Sequence, residues 1–139
     1  MKREDMEIVE LTWQETIPVR HQVLWPNELP EFCIVEGDQE ALHFGVIVDN
    51  IIVSVASLYI DANSARLRKF ATLSAYQGKG VGSSLLKHLI QKLKEQGVNY
   101  LWFDARKSAL SFYNRFDFQA SGDVFYKNEV PYYNMHSNL

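Results

Sequence analysis

The clearest periodic signal in the chain lies in its second half. From Val81 onward the large apolar residues are Val81, Leu85, Leu86, Leu89, Ile90 and Leu93, the i, i+4, i+5, i+8 stripe of an amphipathic helix with one buried face. Gly97 is a C-cap that stops this helix after Gln96. Upstream the pattern is that of strands. Met6 to Leu11 alternates, and Leu42–Val48 and Ile51–Ile60 are β-rich runs joined by Asp49-Asn50, a two-residue hairpin signal. A second turn, Asp61-Ala62-Asn63-Ser64, leads to a strand over Arg66–Leu73. These runs predict an antiparallel meander.

Between the first strand and the meander, Thr12 to Trp25 predicts a helix that tolerates Pro18 only near its start. Pro26 and Pro30 end regular structure, and Asn27 to Asp38 reads as a long loop. After the main helix come a strand, Val98–Phe103, a helix over Ser108–Phe116 with Ala109, Phe112, Tyr113 and Phe116 on one face, and a closing hairpin of Gln119–Lys127 and Tyr132–His136. Strand, helix and strand at this spacing form a crossover whose strands are parallel neighbours. The fold class expected is α/β, with a mixed sheet, antiparallel at first and parallel in the middle, and helices on both faces. The 139 residues make a single domain, 1–139, large enough to bury a core.

Composition narrows the function. Hydrophobic content of 47% and charged content of 22% are those of a globular protein. A net charge of −3 argues against nucleic acid as the partner. No apolar run approaches the length of a membrane span, and Met1-Lys2-Arg3-Glu4-Asp5 leads into no leader-like stretch. Cys33 is the only cysteine, which excludes an internal disulfide and suits a reducing cytoplasm. Glu31-Phe32-Cys33-Ile34-Val35 has the character of a packed segment rather than of a thiol nucleophile's surroundings.

The candidate chemistry sits where the main helix begins. Gln77-Gly78-Lys79-Gly80-Val81-Gly82 follows an apolar strand, so unpaired backbone N–H groups fall at the first turn. These donors, the positive end of the helix dipole and the lack of side chains at Gly78, Gly80 and Gly82 make a cradle for an anion such as a pyrophosphate.

Gln77-Gly78-Lys79-Gly80-Val81-Gly82 resembles the Q/R-x-x-G-x-G/A motif of the GCN5-related N-acetyltransferases (GNAT). Asp104-Ala105-Arg106, Ala109, Phe112-Tyr113 and Phe118, in that order, resemble the family's A-x-x-F-Y-x-x-x-G-F segment. The similarity covers nearly the whole chain. Arg20-His21-Gln22-Val23-Leu24-Trp25-Pro26, His43-Phe44-Gly45 and Val130-Pro131-Tyr132-Tyr133-Asn134-Met135 further resemble a small bacterial branch of the family. Two positions depart from it. Asp117 stands where a glycine is usual, and Arg106 where an asparagine often binds the pantetheine.

The resemblance implies acetyl-coenzyme A as donor and a cytoplasmic N-acetyltransferase acting on an amine of a small molecule or peptide, with a homodimer among the possible states and no metal. It places the pyrophosphate on the amides of Gly78, Lys79, Gly80, Val81, Gly82 and Ser83, with Gln77 shaping the loop. The pantetheine arm would run along Phe70, Ala71 and Thr72 like an added strand, near Ala109 and Phe112. This requires the strands at 66–73 and 98–103 to splay apart. An N–H near Phe70 or Ala71 would then face the thioester carbonyl.

Tyr113 would be the general acid that protonates the departing thiolate; the plainer reading is one more member of an apolar helical stripe. The glutamate that family members often carry on the strand before the glycine turn is replaced here by Arg66, Arg68 and Lys69. His43 is the best alternative base by chemistry, although a histidine inside a strand is commonly a packed, hydrogen-bonded residue. His136 and Asp61 are weaker candidates, His21 is expected to face solvent, and ordered water needs no dedicated base. Arg106 or Lys107 could reach a cofactor phosphate, or simply be solvated. The acceptor pocket is expected between the N-terminal helix, the 26–38 loop and the C-terminal strand. Arg20, Trp25, Glu36, Asp38, Tyr59, Tyr132 and Tyr133 are candidates to line it, with Glu36 and Asp38 holding an ammonium group.

Two other readings compete. A dinucleotide enzyme would use Gly78-x-Gly80 and Asp104, but the third glycine falls at Ser83 and an antiparallel meander is the wrong start for its sheet. A non-catalytic acyl-coenzyme A sensor of the same fold is the alternative kept open by the basic strand.

Overall fold

The structure, a computed structural model, describes residues 5–139. Its elements are β1 (Glu7–Leu11), α1 (Trp13–Leu24), β2 (Leu42–Val48), β3 (Ile51–Asp61), β4 (Ser64–Thr72), α2 (Val81–Glu95), β5 (Tyr100–Arg106), α3 (Leu110–Asn114), β6 (Gln119–Lys127) and β7 (Val130–Asn138). All the strands join one mixed sheet in the order β1-β2-β3-β4-β5-β7-β6. Only β4 and β5 are parallel, as the crossover through α2 requires.

The apolar stripe of α2 is its buried face. Val81, Leu85, Leu86, Leu89 and Leu93 join Phe44, Val46, Leu58, Leu67, Leu101, Phe103 and Phe118 in the larger core. A smaller core forms on the other face, where Val19 of α1 meets Leu11, Val55 and Ala71. With both sheet faces covered, burial in β3 does not alternate: every residue from Val53 to Leu58 is buried, the small polar Ser54 and Ser57 included.

Three local features differ from the sequence expectation. Pro18 lies inside α1 rather than near its start. The helix is anchored by a capping box, in which Thr12 and Glu15 exchange side chain to backbone hydrogen bonds of 3.3 and 2.8 Å, and by the burial of Thr16, Val19 and Arg20. The Ser108–Phe116 helix is shorter, a 3₁₀ turn at Lys107–Ala109 leading into α3. The long loop contains a further 3₁₀ turn, Pro30–Cys33. The hairpin turns match their residues: Asp49 and Asn50 both have positive φ, 50° and 64°, as a tight two-residue hairpin demands.

β4 carries the distortion that matters for the site. Val55 pairs with Ala71 but Ser57 pairs with Arg68, so one residue of β3 faces two of β4. Lys69 occupies this bulge at φ 56°, a left-handed backbone that costs a non-glycine residue about 1–2 kcal/mol.

Candidate active site

At the glycine turn the backbone does what the sequence requires of it. Gly78 and Gly80 have φ of +73° and +81°, and a Cβ on either would meet nothing within 4 Å. The space before the turn is therefore open. Gly80 caps α2 with no side-chain hydrogen bond, and Ser84 is the first residue whose N–H reaches back to Gly80, at 3.0 Å. The amides of Val81, Gly82 and Ser83 thus have no acceptor within the helix. Gln77 Nε2 donates to the carbonyl of Thr72 at 2.9 Å, tying the turn to the end of β4. Val81 is 1% exposed, so only its backbone can serve a ligand. Lys79 is exposed and Ser83 half-buried. This open helix entrance, with no side chain capping it, presents free backbone N–H donors of the kind that bind anions.

Beside it the sheet opens. β4 and β5 pair only at Ser64–Tyr100, Ala65–Leu101 and Arg66–Trp102, although both continue, to Thr72 and Arg106. In the fork beyond Arg66 lies a cavity of about 560 Å³, a size suited to a small organic ligand. β4, β5, the end of α1, α3 and the β6–β7 turn all contribute to it.

Tyr113 lines this cavity, as do Phe70 and Ala109. Its ring packs on Phe103, Phe112 and Phe118 at centroid distances of 4.4, 5.1 and 6.3 Å. The hydroxyl makes no hydrogen bond to another described residue, and burial pushes the phenol well above its ordinary value of 10. At neutral pH Tyr113 is a protonated donor with nothing to donate to.

His43, by contrast, is engaged at both ring nitrogens. Nδ1 lies 2.6 Å from Ser57 Oγ and Nε2 2.8 Å from the carbonyl oxygen of Asp38, and the side chain is 3% exposed. It belongs to a buried polar network on the α1 face of the sheet. Arg20, fully buried, forms a two-pronged ion pair with Asp38 and donates to Ser57 Oγ and the carbonyl of Cys33. Tyr59 donates to Asp38 Oδ1 at 2.6 Å. Asp38 is desolvated, yet its hydrogen bonds from Arg20, Tyr59 and the Val35 amide hold its carboxyl at about 2. Burial and the same carboxylate push Tyr59 up to about 12.

Of the residues expected around the acceptor, the structure brings Trp25 and Tyr132 into the cavity; Arg20, Glu36, Asp38, Tyr59 and Tyr133 are not part of its wall. Arg20, Asp38 and Tyr59 turn inward because each satisfies another's buried charge or hydroxyl. Glu36 is exposed on the loop, and no residue of 26–38 lines the cavity. Asp61 is exposed at the end of β3, His136 stacks on Tyr100, and His21 meets the Glu28 carbonyl at 2.6 Å. Arg106 reaches the cavity, whereas Lys107 does not line it. Asp117 adopts φ 66°, the left-handed turn for which glycine is best suited.

The sequence names Arg66, Arg68 and Lys69 only as replacements for a glutamate, and Asp104 only within a motif and a rival reading; it points neither to their place in the cavity wall nor to Lys127 and Asn128. The signal for the two arginines was present: Ala65 and Leu67 are apolar and buried, so Arg66 and Arg68 must share the opposite face of β4. Lys69 breaks that alternation through the bulge. Its ammonium lies 4.5 Å over the Trp25 ring. Burial, then the charges of Arg68, Lys127, Arg20 and Arg66, lower its pKa to about 8.

Comparison with known proteins agrees with this geometry. The profile of the Acetyltransferase (GNAT) domain matches residues 14–139. The uncharacterized N-acetyltransferase YitI of Bacillus subtilis is 32% identical over 129 residues, 86% of this chain and 87% of that protein. Escherichia coli ElaA superposes with a TM-score of 0.82 at 16% identity, covering 94% of this chain and 98% of its own. A GNAT acetyltransferase from Elizabethkingia anophelis, solved with acetyl-CoA bound, superposes with a TM-score of 0.78 at 17% identity over 99% of this chain and 100% of its own.

Proposed function

The chain belongs to the GNAT acetyltransferase family, and we propose that it moves an acetyl group from acetyl-coenzyme A directly to a primary amine of a small molecule or peptide. The observation that carries this reading is the fork between β4 and β5, which opens beyond Arg66 onto a cavity walled by Tyr113. The uncapped glycine turn beside it supports a diphosphate-bearing donor.

Gly78 to Ser83 would hold the pyrophosphate through backbone amides, with Gln77 fixing the loop to Thr72. Phe70, Ala71 and Thr72 would accompany the pantetheine where β4 has parted from β5, with Ala109 and Phe112 beside them. Acetyl-coenzyme A supplies an acetyl thioester. The acceptor nitrogen attacks its carbonyl carbon, so that an N–C bond forms as the C–S bond breaks. Tyr113 Oη gives its proton to the departing sulfur, and the amine's displaced protons restore the phenol and pass to solvent. The products are an amide, a thiol and one proton from an ammonium substrate. In this reading His43 positions Ser57 and the Asp38 segment, because both ring nitrogens are held by hydrogen bonds inside the protein. The lone buried Cys33 suits a cytoplasmic setting.

Calorimetry with coenzyme A and a thiol-release assay against amines, polyamines, amino acids and peptides test this reading. Cofactor binding with acceptor-dependent thiol release supports it. Binding without release from any acceptor would favour a sensor of acyl-coenzyme A instead.

A further inference from the structure

The cavity in the fork has a charge opposite to that of the whole protein. Its lining includes Arg66, Arg68, Lys69, Arg106 and Lys127 against a single carboxylate, Asp104, in a chain of net charge −3. Asp104 is already shared between Arg66 at 3.3 Å and Lys127 at 3.2 Å. Among the described residues, none of Arg68, Lys69 and Arg106 has an ion-pair partner. Arg68 and Lys69 rest on the rings of Tyr59 and Trp25 instead, and the buried Nε of Arg66 has no hydrogen-bond partner. Cations gathered in a cleft without carboxylates focus a positive potential there.

We propose that the acceptor is a primary amine that also carries an anionic group, a carboxylate or a phosphate, which Arg68 and Lys69 bind, with Arg66 and Lys127 beside them. This rests on the acetyl-transfer reading and adds the acceptor class to it. The cluster is distinct from the donor's diphosphate site, since none of residues 77–83 lines the cavity. Arg66 and Arg68 also alternate with Ala65 and Leu67, which pack toward α2, and so stand on the opposite face of the sheet.

The same field accounts for a cleft without a dedicated base. A cationic, partly desolvated environment disfavours an ammonium ion and favours its neutral, nucleophilic form. Lys69 is an amine already in that environment, and its pKa is lowered from 10.5 to about 8. An acceptor amine entering beside it experiences the same repulsion, while its anionic group keeps the molecule bound. A simple alkylamine has no such anchor.

The test compares matched amines with the full chain and acetyl-coenzyme A: 4-aminobutyrate against butylamine for carboxylate, and O-phosphoethanolamine against ethanolamine for phosphate. At least one anionic member should exceed its neutral partner by tenfold or more in kcat/KM. The difference should lie mainly in KM and shrink as salt rises from 20 to 500 mM. That member should also bind by calorimetry in the presence of coenzyme A. Arg68→Gln and Lys69→Gln should each raise its KM about tenfold or more with coenzyme A affinity unchanged. Equal or better use of the neutral amines would overturn the proposal while leaving acetyl transfer standing. A fall in coenzyme A affinity in these variants would assign the cations to the donor and also overturn it. Binding of anionic amines without acetylation of any amine would remove the transfer reading and keep the recognition; neither binding nor acetylation of an anionic amine would remove the recognition as well.

Discussion

Arg20 and Asp38 meet in the interior through two parallel hydrogen bonds, Nη1 to Oδ2 at 2.8 Å and Nη2 to Oδ1 at 3.0 Å, with exposures of 0% and 3%. The pair staples α1 and the segment after the Pro30–Cys33 turn to β3, through Ser57 and Tyr59. A buried charge that loses its partner destabilises a protein by about 3–5 kcal/mol. Arg20→Met should therefore lower the unfolding free energy by about that much in urea titration. A loss under 1 kcal/mol would show that Asp38 finds another partner.

The same carboxylate sets an acid limit. Its folded pKa, about 2, lies below its ordinary 3.8, so the folded state releases this proton more readily than the unfolded chain does. The stabilisation is complete above about pH 4 and disappears as pH falls toward 2, amounting to about 2 kcal/mol at one pKa unit per 1.36 kcal/mol. Asp38→Asn should remove this component, giving a flatter stability curve between pH 4 and 2. An unchanged slope would assign acid unfolding to other carboxylates.

Tyr113→Phe deletes only the hydroxyl and keeps the ring on Phe103 and Phe112. General acid catalysis contributes about 10²–10⁴-fold, so turnover should fall at least 100-fold while coenzyme A affinity, read by calorimetry, stays within twofold. Unaltered turnover would return Tyr113 to the aromatic cluster as a packing residue.

Much of the fold could be read from the chain because its signals were local. The α2 stripe and the Asp49-Asn50 turn each depend on neighbours in sequence. The glycine turn was legible for the same reason. The acceptor side was not, because its side chains are oriented by long-range effects. Arg20 and Asp38 were expected at a ligand and instead consume one another across 18 positions. Lys69 would face α2 by simple alternation, and only the β4 bulge, invisible in a single sequence, turns it into the cleft.

Asp117 stands at φ 66° between Asn114, whose carbonyl accepts its N–H at 3.1 Å, and the buried Phe118. Asp117→Gly should raise stability by about 1 kcal/mol by relieving the left-handed strain, less whatever the unfolded chain gains in freedom. Thermal unfolding measures it, and a lower Tm would mean that the turn draws on the aspartate side chain.

Lys69 links stability to function with the sign opposite to that of an ion-paired lysine. Its ammonium faces Arg66 and Arg68 on its own strand, Arg20 from α1, the Trp25 ring just after that helix, and Lys127 from β6, and among the described residues no carboxylate forms an ion pair with it. Below about pH 8 it is protonated in both folded and unfolded chains, and the folded state carries the full cost of desolvation and repulsion. Between about 8 and the ordinary 10.5 the folded protein has lost this proton while the unfolded chain retains it. In that window the residue makes stability rise with pH. Lys69→Gln should then be more stable than the native chain at pH 7, and the advantage should shrink as pH is raised through 8 toward 10.5, measured by denaturant titration at each pH. If the cleft recognises an anion, the same variant loses acceptor affinity, so the residue sacrifices stability for binding. A variant less stable at pH 7 than the native chain would mean that packing on Trp25 outweighs the repulsion, and that the ammonium is not under strain from its neighbours.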